Sequence, residues 1–316
     1  MTRHVLVLGA GGFIGRAVSC ALLDAPQTSV LTAHFRQPPP RRMLSQTGSG
    51  WHALDLAQAS VADVGAMIDK LVPDVIVNCV GVTSGSTPQM RVANIDVVRT
   101  LTAALEMRPG IHLIHLGSAA EYGSCVRGRP IGVNAVASPV SDYGLTKLAG
   151  TLHIVAAAET GHLVATVLRV FNPLGRESNA ASLAGRAARE IDAAMRRGDD
   201  VVRLGNLGTW RDYVDVRDVA SAVMAAVSTP PRRSTVLNVG RGEAVLSRDL
   251  VTSLASVAGY GGTIVESDPG SVRSAAVSWQ CADISTTKDQ IGWLPQWLTE
   301  DSLRYVWSGI RHGVHT

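Results

Sequence analysis

Residues 4–15 read His4-Val5-Leu6-Val7-Leu8-Gly9-Ala10-Gly11-Gly12-Phe13-Ile14-Gly15, and the fold is decided here. His4–Leu8 is a short apolar run stopped by glycines, and from Gly12 to Leu23 the apolar residues recur at helical spacing. A strand, a glycine turn and a helix in that order predict a site for a dinucleotide pyrophosphate. The glycines allow a tight turn, close approach of backbone to an anion and close packing of helix on strand. The helix N-terminus then presents free N–H groups to the negative charge. Gly9, Gly12, Phe13, Ile14 and Gly15 are the first candidate cofactor residues.

The same rhythm continues outward. Ser29–Ala33, Asp74–Cys79, Ile111–Leu116 and His162–Val170 read as strands. Ser60–Leu71, Met90–Met107 and Tyr143–Glu159 read as helices, the last closed by Gly161. Strand-helix alternation of this kind predicts an α/β, Rossmann-type doubly wound parallel sheet. After Phe171 the rhythm weakens. Ala180–Arg197 and Val216–Val227 are expected as helices, Val201–Leu204 and Thr235–Val239 as strands. Ser247 is expected to cap Leu250–Ala258, and Thr299 to cap a final helix through Trp307. The expected division is a dinucleotide-binding domain over 1–170, with 216–240 returning to it. Residues 171–215 and 241–316 then form a smaller C-terminal α/β substrate-binding lobe. Pro38-Pro39-Pro40 reads as a stiff surface loop.

Composition narrows the function classes. Across 316 residues, 29 basic side chains face 26 acidic ones, a net charge of +3 that makes no global field for nucleic acid. Cys20, Cys79, Cys125 and Cys281 lie far apart, without metal-ligand spacing, which favours a reduced, cytoplasmic setting. No leader precedes the first strand, and no segment reaches the ~18 apolar residues of a membrane span. A soluble protein with no membrane or nucleic-acid partner and no metal is expected.

The spacing Gly9-x-x-Gly12-x-x-Gly15 resembles that of the extended branch of the short-chain dehydrogenase/reductase superfamily. An NAD site usually has a carboxylate at the end of the second strand, about 20 residues past the glycines, to hold the ribose 2′-hydroxyl. Here Ala33-His34-Phe35-Arg36 has none, and Arg36, with Arg41 and Arg42 beyond, suits a 2′-phosphate. NADP(H) is therefore favoured and NAD(H) is possible. By resemblance, Asp55 and Leu56 fall where the family contacts adenine, and Cys79, Val80 and Gly81 where it contacts the adjacent ribose.

Tyr143-Gly-Leu-Thr-Lys147 places a phenol and an ammonium one helical turn apart on one face. Five tyrosines and three lysines in this length predict only about 0.05 such pairs by chance. A free tyrosine titrates near ~10, and bringing it to neutrality takes roughly 4 kcal/mol of differential stabilisation. A nearby ammonium and a positive nicotinamide ring are suited to supply it. In the extended family the catalytic Ser or Thr stands four residues before the Tyr of a Tyr-Gly pair; here that is Ser118, ahead of Tyr122-Gly123. Its plain structural alternative is a turn cap.

The resemblance also reaches substrate. Arg169-Val-Phe-Asn172-Pro-Leu-Gly175 resembles the family's Arg-x-x-Asn-x-x-Gly. Gly205-Asn206-Leu207 through Arg211-Asp212-Tyr213 to Asp215-Val216-Arg217-Asp218-Val219 is similar to a stretch of GDP-4-keto-6-deoxy-D-mannose reductases, where the arginine matching Arg211 grips the nucleotide pyrophosphate. Substrate contacts are implied at Ala119, Asn172, Asn206 and Arg211. Asp215 and Asp218 are read as caps of the following helix. Sugar-nucleotide 4,6-dehydratases carry acids where this chain has Ala119 and Ala120, so dehydration is not expected. The expected reaction is NADPH-dependent reduction of a keto group on a nucleotide-activated sugar, an NDP-4-keto-6-deoxyhexose. The rivals are an NAD-dependent 4-epimerase, a ketoreductase of a non-sugar ketone and a non-catalytic NADP-binding sensor. Family habit implies a homodimer built on two helices per subunit, including Tyr143–Glu159.

Overall fold

A computed structural model describes residues 2–25, 29–38, 50–161, 163–178, 181–229, 234–266 and 277–311. In chain order the first half comprises β1 (Arg3–Leu8), α1 (Phe13–Leu23), β2 (Ser29–Phe35), β3 (Gly50–Ala53), α2 (Val61–Leu71), β4 (Val75–Asn78), α3 (Thr87–Arg91), α4 (Val97–Glu106), β5 (His112–Ser118), α5 (Asp142–Glu159) and β6 (Val164–Val170). The second half adds β7 (Asn172–Leu174), α6 (Leu183–Arg197), β8 (Val201–Leu204), β9 (Trp210–Asp215), α7 (Val216–Ser228), β10 (Thr235–Val239), β11 (Ala244–Leu246), α8 (Ser247–Ala258), β12 (Thr263–Glu266), α9 (Ser285–Ile291) and α10 (Thr299–Arg311).

Seven strands form one parallel sheet in the order β10-β6-β5-β4-β1-β2-β3. Alternation along the central strands explains the two covered faces. Val5, Val7, Val75, Val77 and Ile114 point into the layer packed with α1 and α7. Leu6, Leu8, Ile76 and Leu113 point the other way, into the layer of α2, α4 and α5. Side chains two residues apart share a face, so a run that is apolar throughout must be buried twice. Residues 75–77 are fully buried. This is the Rossmann-type doubly wound sheet the alternation predicted.

Strand order reverses between β1 and β4, since the chain runs outward from β1 to β2 and β3, then returns to β4. Ligands of open α/β sheets bind in the crevice at the carboxyl ends of such strands. A second core joins α6, α8 and α10 to Leu204, Leu207 and Tyr213. It lies beside a three-stranded β11-β9-β7 sheet and a two-stranded β12-β8 pair.

Several expectations need correction. Met90–Met107 is not one α-helix: a π-helical segment, Val92–Asp96, separates α3 from α4. Ser247 does not cap α8. Leu246 holds the cap position, and the Ser247 hydroxyl is 3.1 Å from both Thr209 Oγ1 and Tyr213 Oη. Asp215 caps α7 as expected, accepting from Arg217 N, but Asp218 accepts instead from Gln296 N and Trp297 N and anchors the segment before α10. Strands β3, β7, β9, β11 and β12 and helix α9 had not been expected; most are too short for periodicity to register. The final helix begins at Thr299 and runs on to Arg311. Pro39, Pro40, Arg41 and Arg42 lie outside the described residues.

Candidate active site

The glycine turn sits at the switch point. Gly9 takes φ +73°, and a Cβ there would come 3.2 Å from Val80 Cγ2 at the end of β4. A Cβ on Gly15 would lie 2.1 Å from Gly9 O, so only glycine lets α1 start this close to β1. Gly12 holds the N-cap position with no side-chain cap, leaving the first-turn N–H groups of α1 without a side-chain acceptor. A turn this tight, with an uncapped helix end above it, fits a dinucleotide pyrophosphate. The Phe13 ring faces Gly175, where a Cβ would be 3.1 Å from Phe13 Cε2. Arg16 bridges Glu177 at 2.5 Å, so the loop after β7 closes against the start of α1.

His34, which sequence reasoning passed over, buttresses this turn. Its carbonyl accepts from Ala10 N at 3.0 Å, and its Nε2 lies 2.9 Å from Leu54 O. A carbonyl only accepts, so Nε2 carries the proton and Nδ1 is left to accept from Gly9 N at 3.5 Å. Burial pushes the His34 pKa down to about 4, keeping it neutral. Its sequence signal was a polar side chain at an inward position of a buried strand. Arg36 is exposed just beyond β2. Asp55 accepts from Ala57 N through Oδ1. Leu56 packs its side chain into the core, so any ligand contact it makes is through its backbone.

The proton-transfer candidates converge where α5 crosses the end of β5. Ser141 caps α5 by accepting from Gly144 N, which starts the helix just before Tyr143. A Cβ on Gly144 would lie 2.5 Å from Ala120 O, so the first turn of α5 rests on the turn that follows Ser118. One turn further, Lys147 is buried, and its Nζ donates to Leu116 O at 2.6 Å. Gly81 is the wall opposite, since a Cβ there would approach Asn94 Oδ1 to 3.0 Å and Lys147 Nζ to 3.9 Å. Ser118, Lys147 and Gly81 therefore share one edge of the sheet, and the first turn of α5, which carries Tyr143, rests against it. Ser118 Oγ also accepts from Ala120 N at 3.2 Å. The cap and a substrate contact are compatible, because the hydroxyl keeps its O–H and a second lone pair.

Burial lowers the Lys147 pKa from 10.5 to about 8, against the opposing pull of Glu121 and Cys79. The neighbouring His115 is held well below its ordinary range by burial and then by Lys147. Its Nδ1 is 3.1 Å from Asn78 Nδ2, and the Oδ1 of that amide accepts from Val80 N. Burial pushes the Cys79 thiol up to about 12. Asn94, in the π-helical segment, clasps Val82 through both its N–H and its carbonyl, and donates to Thr146 at 3.0 Å. Periodicity carried no trace of Asn78, Asn94 or His115, because each acts through a partner on another element.

Arg211 lies on β9, half-buried, with Nη1 donating to Trp210 O. Burial lowers its pKa, and Tyr213 and Cys125 pull the other way. Two aspartates of the same strand make contacts of their own. Asp212 accepts from the backbone N–H groups of Arg241, Gly242 and Ala282, and Asp215 pairs with Arg217 at 2.7 Å. Burial raises the Asp212 pKa to about 6. Asn172 donates to Asp212 O. Asn206 is exposed and spends its carbonyl oxygen on a turn, accepting from Gly208 N at 2.7 Å. Ala119 packs with Tyr122, Ile131, Phe171 and Ala282.

Residues 5–240 match the NAD dependent epimerase/dehydratase family. The chain belongs to that family. It is an NAD(P)-dependent oxidoreductase of the extended short-chain dehydrogenase/reductase type, the resemblance its motifs carried. It is 33% identical over 313 residues to a dTDP-6-deoxy-L-talose 4-dehydrogenase (NAD(P)(+)) of Kitasatospora kifunensis, covering 96% of this chain and 95% of that protein. A GDP-6-deoxy-D-mannose reductase of Pseudomonas aeruginosa is 28% identical, with coverage of 98% and 97%. Among solved structures, MoeE5 in complex with UDP-glucose and NAD superposes with a TM-score of 0.84 at 24% identity, over 99% of this chain and 100% of that one. At that identity the match speaks for the fold. Among the described residues no helix is long and apolar enough to cross a membrane.

Proposed function

We propose that this enzyme reduces a keto group on a nucleotide-activated sugar, an NDP-4-keto-6-deoxyhexose, with NADPH. The observation that carries the reading is the shared edge of Ser118, Lys147 and Gly81, with the first turn of α5, which carries Tyr143, resting against it. Two relatives support the substrate class, since both are named for 6-deoxyhexoses carried on a nucleotide. In this reading the Gly9–Gly15 turn and the start of α1 would hold the dinucleotide pyrophosphate, and the bound cofactor would supply the hydride. Tyr143 gives its phenolic proton to the developing alkoxide. Ser118 donates its O–H to the same oxygen and orients it. Lys147, one turn along, favours the phenolate left on Tyr143 and holds the nicotinamide ribose. Arg211, on β9, takes the pyrophosphate of the substrate in this reading, a role for which a planar bidentate guanidinium is well shaped. In the same reading residues 1–170 and 216–240 carry the cofactor, and 171–215 and 241–316 carry the sugar nucleotide.

The test is a panel of nucleoside diphosphate 4-keto-6-deoxysugars, incubated with NADPH or NADH, with the stereochemistry of the product determined. Stoichiometric NADPH oxidation with one reduced epimer is expected. Retained NAD⁺ and isomerisation without net cofactor consumption would overturn the assignment in favour of an epimerase.

Arg36 decides cofactor preference in this proposal. The end of β2 offers no carboxylate to a ribose 2′-hydroxyl, and an exposed guanidinium stands there instead. Charge-assisted hydrogen bonds contribute ~1.5–3 kcal/mol, so Arg36→Asp is expected to lower the NADPH-over-NADH ratio of kcat/KM by roughly 10- to 100-fold. An unchanged ratio would reject Arg36 as the 2′-phosphate contact.

The enzyme is further proposed to act as a homodimer through α5. Leu145 and Leu152, two turns apart on that helix, are 53% and 56% exposed, and Lys147, Gly150 and Ile154 face inward. Exposed leucines two turns apart on one helix suit a partner helix. Leu145→Glu with Leu152→Glu is expected to halve the mass measured by analytical ultracentrifugation. A wild-type chain that sediments as a monomer would end this proposal.

A further inference from the structure

Glu121 stands three residues past Ser118, and the proposed chemistry leaves it unused. Its carboxylate is fully buried. Oε1 accepts from Ser118 N at 2.8 Å, and Oε2 accepts from Arg169 Nε at 2.8 Å. The Arg169 guanidinium lies 4.5 Å over the Tyr122 ring, whose hydroxyl donates to Asn238 Oδ1 at 2.7 Å. A Cβ at Gly117 would come 2.8 Å from Glu121 Oε1, so that glycine makes room for the carboxylate. Both oxygens are occupied, one by a cation, which leaves Glu121 unable to serve as the general acid missing at Ala119 and Ala120.

Stability alone is a poor reason for this pair. Replacing a buried ion pair with apolar residues of similar size is often neutral or stabilising, because desolvating two charges cancels much of their attraction. What the pair does is fix the position of the Glu121 carboxylate, whose negative charge lies beside Ser118 while the Arg169 cation sits on its other oxygen. The groups around Lys147 are His115 on β5, Cys79 after β4, Tyr143 one turn back and Glu121 in the turn beyond Ser118. Burial holds the first two uncharged.

Resting on the roles assigned above to Ser118 and Lys147, we propose that Glu121 is a positioning residue: its carboxylate fixes the Ser118 main chain and supplies the negative potential that keeps Lys147 protonated, with Arg169 holding it in place. Lys147 Nζ donates to Leu116 O and Glu121 accepts from Ser118 N two residues further along β5, so the ammonium and the carboxylate are held at the same end of that strand. The field of Glu121 opposes the effect of burial on Lys147. Arg169 is committed through Nε and its ring contact, so the carboxylate cannot swing away from Ser118.

The chain has three lysines, Lys70, Lys147 and Lys288, so the Lys147 ammonium can be followed directly by NMR. In protein carrying ¹³C,¹⁵N-lysine, with Lys70→Arg and Lys288→Arg to remove the other signals, the Lys147 side chain is titrated from pH 6 to 11. Glu121→Gln keeps an acceptor for Ser118 N but loses the charge; it is expected to lower the Lys147 midpoint by about one pH unit. The alkaline limb of kcat/KM should move down with it. Glu121→Gln combined with Arg169→Gln spares the fold a lone buried guanidinium, and is expected to lower the midpoint by less. A folded variant of either kind that titrates as wild type overturns the proposal, as does a fall in kcat with no movement of the midpoint. The titration needs no turnover, so a chain inactive on every nucleotide sugar would sink the reductase reading while leaving this one to stand or fall separately.

Discussion

Tyr143→Phe is expected to lower kcat on the productive 4-keto-6-deoxysugar by about 10³-fold, within the 10²–10⁴ that a positioned general acid contributes. NADPH affinity should stay within about twofold, since the substitution removes one hydroxyl and leaves the glycine turn and Lys147 in place. Ser141 caps α5 two residues before position 143, and Gly144 keeps the helix on the Ala119–Ala120 turn, so the backbone that carries the ring is held whether the residue is tyrosine or phenylalanine. What is lost is the proton for the alkoxide. Steady-state rates on the substrate panel, with cofactor binding measured by fluorescence, check both halves. A variant turning over within tenfold of wild type would remove Tyr143 from the chemistry.

Lys147→Met is expected to abolish at least 99% of turnover and also to change how stability depends on pH. Burial holds the folded-state pKa at about 8, below the 10.5 of an exposed lysine. Between those values the unfolded chain binds a proton that the folded chain has released, so stability rises with pH across the window. Below pH 8 the folded protein carries the full cost of a buried ammonium, about 3 kcal/mol. Methionine removes that cost but leaves Leu116 O without its donor, a loss of roughly 1–3 kcal/mol. The net change at pH 7 is therefore small. The diagnostic is the difference between wild type and variant in urea unfolding at pH 7, 8, 9 and 10. That difference should move by about 3 kcal/mol in favour of wild type as the pH rises, while the tyrosines and cysteines common to both proteins cancel. A constant difference would mean that the lysine is solvated and charged in the folded state, and the proton-transfer edge would need another account.

Much of the fold, and the candidates for its site, could be read in one dimension, for reasons of spacing. The three glycines from 9 to 15 act within a single turn, and Tyr143 and Lys147 stand one turn apart because a helix returns to the same face after four residues. Val75–Val77 announced a doubly covered strand because every residue in it is apolar. Where those rules met irregular backbone they failed. The π-helical segment over Val92–Asp96 was hidden in what read as one helix, because apolar periodicity does not respond to one added residue. Asn206 has a local role its motif did not suggest: its side-chain carbonyl accepts from Gly208 N and shapes a turn.

From the order of its residues alone, then, this chain was bound to form a parallel α/β sheet with a dinucleotide turn, and to carry a phenol and an amine one helical turn apart. Local sterics and periodicity suffice for that, since each feature closes within a few residues. Only the tertiary structure joined Glu121 to Arg169 across 48 positions, set Asp212 against Ala282, and sealed Lys147 from water beneath Leu116. Hydrogen bonds and desolvation depend on distance in space, and it is the folded packing that decides which distant charges meet and how dry they become.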